Sequence, residues 1–156
     1  MVFRLFISTR QATVSDLEKL YEIERECFTI EAFTKEYIMA LLQDSNSVSL
    51  IAQINGEIVG FIIGIIQHIR GMKTGHIYTI DVATKHRRKG VGIKLLKELE
   101  KIFAKRDVQV CYLEARLNNV AAVKLYKKQG YTEIEKLNNY YFKGVHGVRL
   151  QKRLSQ

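Results

Sequence analysis

A strand-like segment, Gly75–Ala83, leads into a short basic turn, Arg87-Arg88-Lys89-Gly90-Val91-Gly92, and the glycines open directly into an amphipathic helix. Leu95, Leu99 and Ile102 mark one stripe of that helix, which is predicted over Gly90–Arg106. Val108–Ala115 follows as another strand. No other feature restricts the fold as much. A strand, a helix and a strand joined by short connections form a crossover, and a crossover requires its two strands to lie parallel in one sheet.

The rest of the chain supplies the partners for that unit. Val2–Ser8 reads as a first strand. Ser15 and Glu18 make a capping-box pattern ahead of a helical stripe of Leu17, Leu20, Tyr21, Cys27 and Phe28. Thr34 is placed to cap a second short helix through Leu42. Val48–Ile54 and Glu57–His68 are strands joined by Asn55-Gly56, a strong two-residue hairpin signal. Asn118 or Asn119 caps a helix that ends at Gly130. Tyr131–Leu137 and Val145–Leu154 close the chain as strands. The order β-α-α-β-β-β-α-β-α-β-β predicts an α/β fold, a mixed central sheet with flanking helices, in a single domain over residues 1–156.

Composition narrows the class. The chain is 47% hydrophobic and 26% charged, as in ordinary globular proteins. Arg4 and Arg10 interrupt any secretory apolar segment, and the longest apolar run, Ile58–Ile66, is far short of a membrane span. Cys27 and Cys111 provide neither a disulfide framework nor metal-ligand spacing. His68, His86 and His146 are scattered and read as surface residues, so no metal site is expected. A cytoplasmic protein without membrane contact is the expectation. The net charge of +9 is unevenly placed. Residues 1–60 carry 5 Lys/Arg against 9 Asp/Glu, and residues 61–156 carry 20 against 7. The basic part suits an anionic ligand or a solvated surface.

The glycine turn fails two of the common phosphate-binding patterns. There is no G-x-x-x-x-G-K-[ST], and Leu95 stands where a dinucleotide fingerprint needs its third small residue. A shorter cradle of the form R/Q-x-x-G-x-G fits. Free N–H groups at a helix start carry partial positive charge, and glycine lets a phosphate approach the backbone. Taken alone, the motif is equally compatible with a plain basic turn.

Two segments together carry a resemblance. Ile80-Asp81-Val82 followed by RRKGVGIKLL resembles the acetyl-CoA signature of the GNAT superfamily of N-acetyltransferases. LEARLNNVAAVKLYKKQGY, residues 113–131, resembles the second signature of that superfamily, in the correct order and spacing. The resemblance covers most of residues 48–154. It is nearest to N-terminal (Nα) acetyltransferases, including ribosomal-protein-alanine acetyltransferases and their archaeal relatives. Gly75-His76-Ile77 and Asn139-Tyr140-Tyr141 are the cues.

The resemblance implies acetyl-CoA as cosubstrate and a protein or peptide N-terminus as acceptor, with ribosome association conceivable and the oligomeric state open. It implies that backbone N–H groups at 88–93 (Arg88, Lys89, Gly90, Val91, Gly92, Ile93) hold the pyrophosphate, with Arg87, Arg88 and Lys89 screening its charge. It further implies that Ile80, Asp81 and Val82 pair with the pantetheine arm, and that Asn119 contacts it. Tyr126 is implied as the acid that protonates the departing sulfur; otherwise it is an aromatic on a buried helix face.

Three residues compete as the base. His76, placed by period-two alternation on one strand face with Tyr78, Ile80 and Val82, titrates in the useful range as a residue type. Glu114 matches the base of ribosomal-protein-alanine acetyltransferases; otherwise it is a strand glutamate paired with Arg116. Glu31 matches a second archaeal candidate through a loop that lacks the usual prolines of the family. Phe28, with the loop to Phe33, is expected to form one wall of the substrate groove, and Tyr140 and Tyr141 the other. Acetylation of lysine side chains, polyamines or small amines remains an alternative, kept alive by the acidic Glu22, Glu24, Glu26 and Glu31. A non-catalytic CoA- or RNA-binding module is the alternative of another class. The basic run at 85–106 contains only Phe103 as a stacking aromatic, which weakens the RNA reading.

Overall fold

The computed structural model describes residues 5–154. Seven strands form one sheet in the order β1-β2-β3-β4-β5-β7-β6. The strands are β1 (Ser8–Gln11), β2 (Ser47–Ile54), β3 (Glu57–Ile69), β4 (Met72–Val82), β5 (Val110–Arg116), β6 (Thr132–Phe142) and β7 (Val145–Arg153). The helices are α1 (Leu17–Cys27), α2 (Lys35–Gln43), α3 (Val91–Lys105) and α4 (Val120–Lys128). All neighbours pair antiparallel except β4 and β5, which are parallel and flank the α3 crossover.

Two apolar layers sandwich the sheet. On one face Leu95, Leu99 and Phe103 of α3, with Val123 of α4, pack on Leu50, Ile62, Cys111 and Leu150. On the other, Leu20 and Ile23 of α1 and Ile38 and Leu41 of α2 pack on Ile51, Phe61 and Ile63. Gly75 lets the Phe103 ring lie against the strand; a Cβ there would sit 2.4 Å from that ring. The second layer covers β2 and β3 but none of β5, β6 or β7.

Several boundaries differ from the sequence reading, each for a local reason. The first strand is Ser8–Gln11 rather than Val2–Ser8; residues 2–4 lie outside the described residues. The first cap is Thr13 with Asp16 rather than Ser15 with Glu18. The Thr13 N–H donates to Asp16 Oδ2 at 2.8 Å, while Glu18 is taken by Lys35. Arg10 grips Asp16 with both terminal nitrogens and holds its carboxyl down at about 2. β4 begins at Met72, because Arg70 and Gly71 both adopt positive φ and close a tight hairpin with β3. The Thr34 and Asn119 caps form as expected, accepting from Tyr37 N and Ala122 N.

One irregularity matters for function. Ile63 pairs with Thr79 and Gly64 with Ile77, so Tyr78 is the extra residue of a β-bulge. Parity changes there. His76 and Tyr78 lie on one face, whereas Ile80 and Val82 pack against the α3 layer on the other. The expectation that His76, Tyr78, Ile80 and Val82 share a face therefore fails, because simple alternation does not survive a bulge.

Candidate active site

β4 and β5 pair only at Thr74↔Val110, Gly75↔Cys111 and His76↔Tyr112. Beyond these positions the strands separate, and a cavity of about 660 Å³ opens between them. Ile77, Thr79, Ile80 and Val82 line one side, and Leu113, Glu114, Ala115 and Arg116 line the other. Asn119, Leu125 and Tyr126 close it from α4, and Phe28, Glu31 and Phe33 from the α1–α2 connection.

At one end lies the start of α3. Lys94 N bonds to Gly90 O, so the N–H groups of Val91, Gly92 and Ile93 have no intrahelical acceptor. Arg88 and Gly90 both have positive φ, 64° and 87°, a backbone that turns successive N–H groups into a concavity suited to an anion. Nothing lies within 4 Å of a Cβ built on Gly90, and only Val82 approaches one on Gly92. Arg87 and Arg88 line the cavity beside this turn. Arg87 donates to Val82 O at 3.3 Å and lies by the Cys27 sulfur. These residues fit a phosphate-bearing cosubstrate such as CoA. Lys89 is turned to His86 and does not line the cavity, and Val91 is buried in the α3 layer, so its side chain serves the core.

The Asp81 side chain does not line the cavity. It is buried, and its carboxyl bonds to Thr79 Oγ1, which also reaches Glu24 Oε1 at 3.3 Å. Its side chain faces α1 and cannot meet a ligand in the cavity; only its backbone remains for that purpose. Burial, and then the neighbouring Glu24, push the Asp81 carboxyl well above the usual range. Glu24 Oε2 accepts from Phe33 N at 3.1 Å and so ties the α1–α2 connection to β4.

At the other end, Glu114 lines the cavity with His76 one hydrogen bond behind it. His76 Nε2 lies 2.7 Å from Glu114 Oε1, and Arg149 Nε donates to Glu114 Oε2 at 2.9 Å. The imidazole stacks on Tyr112, with centroids 4.3 Å apart, and meets Tyr78 edge-on. Burial raises the Glu114 carboxyl, but hydrogen bonds from His76 and Arg149 outweigh it and hold the group below its ordinary range. Glu114 is thus not paired with Arg116. Arg116 instead bonds Glu31 and closes the front of the cavity, with its guanidinium over the Tyr141 ring. Glu31 is committed to that pair, with its second oxygen buried and unpartnered. Tyr126 lines the cavity from α4. Burial, with the Asp81 charge adding to it, pushes its phenol up to about 12, so it stays protonated and able to donate.

Phe28 and Tyr141 line the cavity, whereas Tyr140 is 47% exposed beside it. His68 is exposed as expected. His86 is largely covered, and His146 Nδ1 accepts from Asn139 N within the β6–β7 hairpin. The sequence gives no signal for Arg149 and Thr79, and marks Glu24 only as one of several acidic residues. Their roles rest on contacts between distant strands and helices, which leave no local signature.

The acetyltransferase (GNAT) family model matches residues 17–131. The chain belongs to the GNAT family. It is 31% identical to an N-alpha-acetyltransferase of Sulfolobus acidocaldarius, over 86% of this chain and 85% of that protein. It is 29% identical to an N-alpha-acetyltransferase of Sulfurisphaera tokodaii, over 86% of each. Among solved structures, Arabidopsis thaliana NAA60 in complex with acetyl-CoA superposes with a TM-score of 0.85 at 23% identity, covering 96% of this chain and 99% of that one. This GNAT chain is an acetyl-CoA-dependent N-acetyltransferase. Its mixed seven-stranded sheet with flanking helices is the fold expected from sequence. Among the described residues no helix is long and apolar enough to cross a membrane.

Proposed function

We propose that this enzyme acetylates the free N-terminal α-amino group of proteins or peptides, working as one catalytic domain in the cytoplasm. The observation that carries the reading is the single cavity with an anion cradle at one end and a His76–Glu114 pair at the other. The names of the two archaeal relatives support the α-amine as acceptor. An α-amino group has a pKa of about 8, against about 10.4 for lysine, so a modest base suffices to hold it neutral.

Bound at the cradle, acetyl-CoA supplies the activated acyl group. The cradle N–H groups, with Arg87 and Arg88, hold its phosphates, and the unpaired edge of Ile80–Val82 together with Asn119 faces its arm. Tyr126 keeps its proton at neutral pH and supplies it to the departing sulfur. The ionised Glu114 can only accept hydrogen bonds, so His76 Nε2 carries the hydrogen between them and Nδ1 is the basic atom. The pair collects the proton of the amine through water. Neither cysteine is needed as a nucleophile: Cys111 is buried with its thiol pushed up to about 12, and burial also raises Cys27.

The polyamine alternative wants an acidic groove; Glu24, Glu31 and Glu114 do line the cavity, but cations hold Glu31 and Glu114, and the acidic residues named for that reading are largely committed to protein partners. Glu24 is buried, Glu26 accepts from Thr84 N, Glu31 holds Arg116, and Glu22 is exposed beside Lys19. The deciding experiment offers acetyl-CoA with peptides that differ in their first residues, ribosomal-protein N-termini included, beside N-terminally blocked peptides containing lysine. Transfer to free N-termini alone is expected. Transfer to the blocked lysine peptides overturns the reading.

A further inference from the structure

We propose that Arg149 is a positioning residue for the catalytic pair: it locks Glu114 in its carboxylate form, so that a proton collected by the pair rests on His76. The proposal builds on the base assignment above and goes beyond it.

Sheet register creates the arrangement. Arg149 is the direct cross-strand partner of Glu114 on β5 and of Glu135 on β6, and His76 is opposite Tyr112 on β4. The side chains make a row across four strands: Glu135, Arg149, Glu114, His76. Arg149 bonds both carboxylates, Nε to Glu114 and Nη1 to Glu135, and its guanidinium lies 5.9 Å above the Tyr112 ring on which His76 stacks. The planar guanidinium serves both neighbours from fixed, separate N–H groups. Both Glu114 oxygens are then occupied, one by His76 and one by Arg149. A carboxylate held on both oxygens is a poor resting place for a proton, whereas the unbonded imidazole nitrogen is a good one.

No helix of the α1–α2 layer covers this row. Arg149 is therefore not needed to fill the core, and its side chain remains 29% exposed. The other titratable groups facing Glu114 are phenols: Tyr78, Tyr112, Tyr140 and Tyr141, all raised by burial and neutral through the working range. Arg116, two residues along β5, is committed to Glu31. Arg149 is thus the cation that sets the charge of the pair.

The sign follows from electrostatics. A positive neighbour favours the carboxylate and disfavours the imidazolium, so removing it makes the pair hold its proton more tightly. Arg149→Met is expected to move the titration midpoint of the His76 ring upward by about half to one pH unit. The ring is followed by proton NMR of the full chain, with His76→Gln to assign its signal. The acid limb of kcat/KM, measured with the best peptide of the N-terminal panel, moves in the same direction. Arg149→Gln, which keeps a donor but loses the charge, gives the same shift should the Met variant fold poorly. Arg149→Lys restores the charge and returns the midpoint.

An unshifted ring midpoint in a folded Met or Gln variant overturns the proposal. So does a fall in kcat that is equal at every pH, which marks a merely structural contact between β5 and β7. The NMR readout needs no turnover. A shifted ring in a protein that acetylates no peptide upholds the role of Arg149 in setting the pair and fails the N-terminal reading instead.

Discussion

At one end of the cavity, an uninterrupted run from Arg87 to Ile93 supplies backbone N–H groups, two lining cations and two positive φ angles. At the other, His76, Glu114, Arg149 and Glu135 come from four different strands and meet only because the sheet register aligns them. The first end depends on backbone and tolerates little added bulk. The second depends on side-chain charge and tolerates shape changes better than changes of charge. In the proposed function, local geometry serves binding and long-range pairing serves chemistry.

The sharpest way to break this division is at the cradle. Gly92→Glu places a carboxylate where a phosphate must approach free N–H groups, and acetyl-CoA affinity is expected to fall at least ~100-fold by calorimetry, as like charges meet in a poorly solvated site. A Cβ on Gly92 meets only Val82 at 3.8 Å, so the fold itself should persist. Intact binding would show that the cradle lies elsewhere.

Tyr126 tests the proposed acid. Tyr126→Phe removes the donor and keeps the ring against Tyr131. Turnover is expected to drop on the order of 100-fold, the usual reach of one acid–base group, while acetyl-CoA affinity stays within about threefold. An unchanged kcat would remove Tyr126 from the chemistry.

The smallest effect sharpens the comparison on β4, the strand that serves both ends. Asp81 is buried beside Glu24, and its carboxyl is raised in the folded protein by burial first and by Glu24 second. The native state therefore keeps the proton where the unfolded chain releases it, and stability falls as pH climbs above the unfolded value near 3.8 toward the raised native one. Asp81→Asn keeps a donor for Glu24 and an acceptor for Thr79 and removes that loss. Its Tm at pH 7 is expected to exceed that of the unaltered protein by a few degrees, with the gap closing below the usual aspartate range. A lower Tm at pH 7 would mean that the Asp81 carboxyl is ionised and needed as such.

The legible part of the molecule is the part written in contiguous residues. The Asn55-Gly56 hairpin, the Thr34 and Asn119 caps, the α3 stripe and the glycine turn each depend on neighbours in the chain, and each forms. Misreadings gathered where a distant partner competes. Arg10 draws Asp16 into the cap that Ser15 and Glu18 seemed to offer. Glu31 takes the Arg116 that seemed to belong to Glu114. The bulge at Tyr78 reverses the parity of β4, turning Asp81 inward to α1 and moving His76 off the face of Ile80 and Val82.

By itself the sequence determined the order of elements, the parallel crossover, the glycine turn into α3 and the family, because hydrogen-bonded turns, caps and periodic burial are satisfied within a few residues of one another. Only the tertiary structure decided which charged groups meet. Cross-strand pairing and a one-residue bulge choose which side chains share a face, and in a partly buried site a charge takes whichever partner the fold brings within reach.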